Sequence, residues 1–358
     1  MKNMEQHGKT VLVTLVILLA ITMAGNAAMG SADISIPMVA KIAYMGFLGW
    51  IQDIIGLISP TLKQASFWNY FSIPNTWDMK YETIVMNIRL PEVILAALVG
   101  AALSTAGCAM QGLLKNPMAD PYIIGMSSGA SLGAALALLI GINTQSTAFV
   151  FSAITIFIVY NISKVGRNVP MATLLLAGIA VGSFLSALTS FLVYINQSRD
   201  HIIFWMMGSF ANPSWEKVGA SGIMIIFGII MLYRHSWSLN VLLLGEEQAQ
   251  YMGIDVEWIK KYILLFTSLI TGAAVSVSGI IGFVGLIIPH IMRIIVGPDH
   301  RILFPASTLA GACFLIFCDA LSKSLIADMN LPVGIITALF GAPFFVYLLR
   351  KRGKTIYA

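Results

Sequence analysis

Ten stretches of this chain stay apolar for about the length an α-helix needs to cross a bilayer, and this repetition limits the fold more than any other feature. A hydrocarbon core of about 30 Å takes roughly 20 apolar helical residues, and a helix in lipid must satisfy its own backbone. The stretches lie at 10–29, 93–114, 122–142, 147–163, 171–194, 217–233, 260–281, 283–296, 305–327 and 333–349. The eighth is short and is broken by Pro289. With 58% hydrophobic and 10% charged residues over 358 positions, the composition excludes a soluble domain. The expected fold is all-α, a polytopic bundle of ten transmembrane helices. Residues 1–81 hold the first helix and an outer connecting segment; residues 82–358 hold the other nine, with a cytoplasmic loop at about 234–260.

Basic residues set the orientation. With the N-terminus inside, fourteen of the 21 Lys and Arg fall on the cytoplasmic side and seven outside, which puts both termini in the cytoplasm. The group Arg350, Lys351, Arg352 and Lys354 weighs most. Residues 1–29 also have the make-up of a secretory signal, but the count of ten spans favours a retained helix. In the outer segment, Ile42–Ile58 has the pattern of an amphipathic helix lying on the membrane. The net charge of +5 comes with no basic patch interleaved with aromatics, so membrane topology explains it and nucleic acid does not. Cys108, Cys313 and Cys318 sit in apolar runs without zinc spacing and read as packing residues.

Small residues recur every fourth position in several spans: Ala96, Gly100, Ser104, Cys108 and Gly112 in the second, and Gly125, Gly129, Gly133 and Ala137 in the third. Helices in lipid associate through such close backbone approach, so the stripes indicate a tight bundle. Polar groups inside spans are costly and point to function or to bonds between helices. Asp319 is either a proton site or an acceptor for a neighbouring helix; Gln111 reads as interhelical hydrogen bonding. Pro289 frees a carbonyl in its helix, which is tolerated only where protein or a wet cavity covers it. With His290 and Arg293 beside it, that break marks a region lining or supporting a passage, and His290 has no second metal ligand at helical spacing. Gly8-Lys9-Thr10 and Gly353-Lys354-Thr355 imitate the end of a P-loop but lack its first glycine.

An ordered series of motifs over roughly 85–350 resembles the FecCD-type permeases, the membrane subunits of type II ABC importers. It comprises Arg89-Leu90-Pro91, Gly100-Ala101-Ala102-Leu103, Asn116-Pro117-Met118-Ala119-Asp120-Pro121, Met252-Gly253, Gly282-Phe283-Val284-Gly285-Leu286, Pro289-His290, Asp299-His300-Arg301 and Leu331-Pro332-Val333-Gly334. The resemblance implies a permease in the cytoplasmic membrane of a bacterium or archaeon that imports an iron chelate such as a siderophore or haem, or cobalamin. It implies a homodimer with a central path, two separate ATP-hydrolysing subunits that bind ATP and Mg, and an extracytoplasmic binding protein. No cofactor is expected in this chain and no catalytic residue. By the same resemblance, Gly245, Glu246, Ala249, Met252 and Gly253 couple to the ATPase, and Asn116, Pro117, Met118 and Ala119 form a cytoplasmic gate faced by the loop at 167–172. Ser183, Ser186, Thr189 and Ser190 line the path, and Arg89 and Lys323 dock the binding protein. The alternative is a proton-coupled secondary transporter using Asp319.

Overall fold

The structure, a computed structural model, describes residues 2–30, 32, 34–63, 66–75, 77–166, 169–195, 199–325 and 331–356; Arg167 of the loop expected to face the gate lies outside them. No strand occurs among the described residues. The chain opens with α1 (Lys2–Ala28) and α2 (Ile36–Ile58), then the short α3 (Pro60–Lys63) and α4 (Met79–Ile84). Next come α5 (Leu90–Leu113), α6 (Met126–Ile140), α7 (Thr144–Ile162), α8 (Met171–Ile195), α9 (Arg199–Met206) and α10 (Trp215–Arg234). The second half has α11 (Ser236–Leu242), α12 (Glu246–Tyr251), α13 (Val256–Ser278), α14 (Val284–Val296), α15 (His300–Ser324) and α16 (Val333–Ile356).

Each of the ten predicted spans falls on one apolar helix: α1, α5, α6, α7, α8, α10, α13, α14, α15 or α16. Among the described residues eight helices are long and apolar enough to cross a membrane, and α6, α14 and the apolar part of α16 are shorter. One of the eight is α2, which the sequence pattern placed on the membrane surface; its 23 residues meet the length criterion although they carry Lys41 and Asp53.

The second span begins earlier than its apolar run. Proline has no N–H to give and crowds the carbonyl four residues back, so Pro91 should end a helix arriving from α4. Instead the chain widens into a π-helical turn at Val85–Arg89, where Leu90 N–H donates to Val85 O five residues back, and helix is continuous from Met79 to Leu113. Near this turn the Trp215 indole N–H donates to Met86 O at 2.8 Å.

α5 sits at the centre, buried on nearly every side from Val93 to Leu113 and packed against α10, α13, α14 and α15. Its small-residue stripe makes this possible. A Cβ at Gly100 would stand 2.2 Å from Gly311 O of α15, and one at Gly107 would stand 1.7 Å from Gly285 O of α14. Gly285 O is the carbonyl four residues before Pro289, the one a proline leaves without its helical donor. It rests against Gly107, while the Gln111 side-chain amide donates to Leu286 O at 3.0 Å. The break in α14 is therefore covered by protein, as lipid-exposed backbone would forbid. Pro289 is buried; His290 and Arg293 are half-buried.

Candidate functional site

Two ends of the bundle carry the candidate residues. At one end lie the segment from α5 to α6, the α11–α12 loop and the turn into α15; at the other lie the C-terminus of α1, the start of α5 and the end of α15.

The α12 loop is a small framed projection. Gly253 has φ +80°, a left-handed turn that side-chained residues disfavour, and its N–H donates to Gln250 O at 2.9 Å. Ile254 N–H then reaches back to Ala249 O at 3.0 Å, so the loop closes on itself, with Ala249 fully buried. Glu246 and Glu247 stand in the first turn of α12, where acidic side chains suit the helix dipole. The outer surface is apolar: Tyr251 is 91% exposed, and Leu244 and Met252 are more than half exposed.

A charged brace joins this projection to the bundle. Lys260 of α13 is buried and donates to Glu246 Oε2 at 2.8 Å and to Glu257 Oε1 at 2.9 Å. The other oxygen of Glu257 accepts from Val169 N–H at 3.1 Å, just ahead of α8. A second tie runs from α11: the Asn240 amide donates to Asp299 at 2.6 Å, and Asn240 Oδ1 accepts from His300 N–H at 2.9 Å. Hydrogen bonds from the Arg301 guanidinium hold the Asp299 carboxyl down to about 2, outweighing the upward effect of burial, and the Arg301 N–H and Asn240 add smaller effects in the same downward direction. In the sequence Lys260 reads only as a topological charge and Glu257 as an ordinary surface carboxylate. Their i,i+3 spacing, the usual separation of a helical ion pair, was the available signal.

At the candidate gate, α5 ends at Leu113 and Lys115 takes a left-handed conformation at φ 48°. Asn116 is exposed; its side-chain oxygen accepts from Met118 N–H at 3.0 Å, closing a turn, and Ala119 N–H bonds Asn116 O at 3.0 Å. Pro117 and Met118 are half-buried and Ala119 is buried. Asp120 caps the 3-10 turn at Pro121–Ile124, and Tyr122 reaches Ile281 O at 3.2 Å. That turn is the seat of α8, because a Cβ at Gly178 would stand 2.6 Å from Ile123 O. The turn that follows the candidate gate is thus in direct contact with the candidate path helix.

On α8, Ser183, Ser186 and Ser190 are exposed, with the Ser186 hydroxyl 3.1 Å from that of Ser128. Thr189 does not share their face. It is 2% exposed and its hydroxyl donates to Leu185 O, since its position turns it into the packing of the bundle.

At the opposite end, both basic residues expected on the surface are inside. Arg89 is 5% exposed and donates to Ala27 O at 3.1 Å, Ala28 O at 3.0 Å and Ala32 O, capping the last carbonyls of α1. Lys323 donates to Asp319 at 2.7 Å, Glu92 at 2.9 Å and Asn26 Oδ1 at 3.0 Å, with its side chain 9% exposed. Asn26 in turn donates to Asp319 at 2.9 Å and to Ile316 O at 2.8 Å. The burial arises because the end of α1 lies over both residues. Asp319 thus accepts from a neighbouring helix, one of the two roles its sequence context allowed.

Among the described residues no group of three or more His, Cys, Asp or Glu is placed to hold a metal ion. Compared with known proteins, residues 18–351 match the FecCD transport family. The chain is 45% identical over 288 residues to the cobalamin import system permease protein BtuC of Halobacterium salinarum, covering 79% of this chain and 76% of that protein. It is 36% identical over 324 residues to the hemin transport system permease protein HmuU of Yersinia pestis, covering 86% and 95%. It is 32% identical to the molybdate import system permease protein MolB of Haemophilus influenzae, covering 96% and 97%. A solved chain described as an inward-facing metal-chelate type ABC transporter superposes with a TM-score of 0.80 at 30% identity, covering 96% of this chain and 99% of its own. With a family match spanning most of its length on a bundle of the expected helices, the chain belongs to the FecCD transport family and is a multi-pass membrane permease of the ABC importer class.

Proposed function

We propose that two copies of this chain form the central path of an importer for a chelated metal, either an iron chelate such as a siderophore or haem, or cobalamin. Two separate subunits that bind ATP and Mg drive it, an extracytoplasmic binding protein delivers the cargo, and both termini lie in the cytoplasm. The observation that carries the reading is the α12 projection: an exposed apolar tip at Leu244, Tyr251 and Met252 on a self-closed loop, braced through Lys260 and Glu257 to the start of α8. Such a tip suits a groove on a partner, and such a brace carries a push on α12 to the gate and path helices. The relatives named for cobalamin and hemin support the cargo class.

In this reading Asn116–Ala119 narrow the inner mouth, and Ser183, Ser186 and Ser190 of α8 give the path a small, mildly polar wall that does not retain a bulky cargo. Arg89 and Lys323 serve binding-protein docking indirectly, by holding the ends of α1, α5 and α15 together. A proton-coupled mechanism at Asp319 finds little support, since that carboxylate is already engaged by Lys323 and Asn26.

Replacement of Gly253 by Val tests the coupling role. A side chain in the left-handed region costs about 1–2 kcal/mol, which reshapes the loop and leaves the distant bundle alone. In proteoliposomes containing the complete importer, ATP hydrolysis should persist while cargo uptake falls severalfold. Unchanged uptake per ATP hydrolysed would refute the assignment.

A further inference from the structure

A groove of about 540 Å³ runs between α7 and α13, lined by none of the gate or α12 residues. Phe149, Ala153 and Phe157 line it from α7, and Leu265 and Leu269 line it from α13. It opens toward the surroundings of the bundle, since Phe157 is 70% exposed and Leu265 62%. Its charged group and its unbonded hydroxyl collect at one end: Lys261 and Asn161, both exposed, with the buried Tyr160 hydroxyl, which has no hydrogen-bond partner among the described residues, whereas Ser268, further along α13, donates to Leu264 O of its own helix. That end is where α7 finishes and α13 begins, beside the α12 loop.

We infer that this groove binds one anionic phospholipid per chain, with an acyl chain along its apolar wall and the headgroup phosphate at Lys261. Depth supports this. From Asn161 to Phe149 a helix rises about 18 Å, close to half of a hydrocarbon core of about 30 Å, so the apolar wall fits one leaflet and the polar end meets the headgroups. Charge supports it as well. The neighbouring carboxylates Glu246 and Glu257 are engaged by Lys260, which leaves Lys261 without an ion pair among the described residues. An unpaired cation over an apolar slot between membrane helices matches a phosphate with a hydrocarbon tail. A soluble partner does not reach a surface at hydrocarbon depth. The orientation proposed above would make this the cytoplasmic leaflet; the binding does not rest on that orientation, and the measurement below is blind to it, so the two fail separately.

The test is native mass spectrometry of the purified permease titrated with phosphatidylglycerol or phosphatidylcholine. One phosphatidylglycerol per chain should be retained over phosphatidylcholine with a preference of roughly fivefold, the worth of one lysine near a charged headgroup. Lys261→Glu should erase the preference, Lys261→Arg should keep it, and Ala153→Trp, which fills the slot, should lower retention of both lipids. Equal retention of the two lipids by the unaltered protein, or a preference that survives Lys261→Glu, would overturn the inference. So would a Phe157→Cys variant that cross-links two copies in membranes, because the groove would then be covered by protein.

Discussion

Lys323 shows what one buried cation does among two carboxylates. Truncating one partner of a buried ion pair leaves uncompensated charge and typically costs about 3–5 kcal/mol, whereas replacing the whole set with neutral groups is often tolerated. Lys323→Met should therefore lower the melting temperature of the detergent-purified protein sharply. Adding Glu92→Gln and Asp319→Asn to it should restore most of the loss; a triple variant no more stable than the single one would contradict the pairing seen here. Asp299 makes a pH-dependent case. Its carboxyl sits at about 2 in the folded chain, below the ordinary value of about 3.9, so its contribution is complete above pH 4 and is lost as pH falls toward 2. Thermal unfolding followed across that window should show the gap between the native protein and Asp299→Asn closing as acid is added; a gap independent of pH would refute the assignment. Some of this was legible in the residues alone. Asp319 and Lys323 stand four apart on one helix, and Gln111 is a polar side chain in an apolar span, so both invited partners. The role of Arg89 was not legible, because the carbonyls it caps lie about sixty positions earlier and only tertiary folding brings the end of α1 over it.

Among the elements, α12 and its brace connect the outside of the protein to its interior. Glu257 bridges two parts: one oxygen takes Lys260 and the other takes Val169 N–H ahead of α8. Glu257→Gln keeps the shape and removes the charge, so it should reduce uptake severalfold in the complete importer while ATP hydrolysis continues. Uptake and hydrolysis falling in proportion would mean that the brace only stabilises the fold. At the centre, Gly107→Ala would set a methyl group against the Gly285 backbone carbonyl, which cannot rotate away. Overpacking costs typically about 1–3 kcal/mol, and this contact is with rigid backbone, so poor yield and a lower melting temperature are expected; a variant of native stability would contradict the close crossing of α5 and α14. The hydrophobic runs located the membrane helices well, since length and apolarity are properties of the chain itself. The continuous helix from Met79 was hidden because Pro91 signals a stop, and only a π turn lets the helix pass it. The short α11 carries no span signal and gains its place by packing beside α5 and α15.

As a whole, the molecule buries α5 and leaves α8 and α16 with broad apolar faces. Leu176, Phe184 and Phe191 of α8 and Leu339 and Val346 of α16 are all more than half exposed. Lipid alone satisfies such faces, but a paired permease would set them against a second copy along the path. The three native cysteines are buried, so a single introduced thiol reports cleanly: Phe184→Cys or Leu339→Cys should form a cross-linked dimer in membranes. Failure of every position along both faces to cross-link would argue against pairing through them. The central claim is that this chain is a conduit moved by separate ATP-hydrolysing subunits, and cargo uptake into proteoliposomes tests it most directly. The purified permease alone, given an imposed proton or sodium gradient, should accumulate nothing. With its ATPase partners, binding protein and enclosed ATP, uptake should begin and should survive collapse of the gradient. Sustained accumulation by the permease alone under an ion gradient would contradict the account.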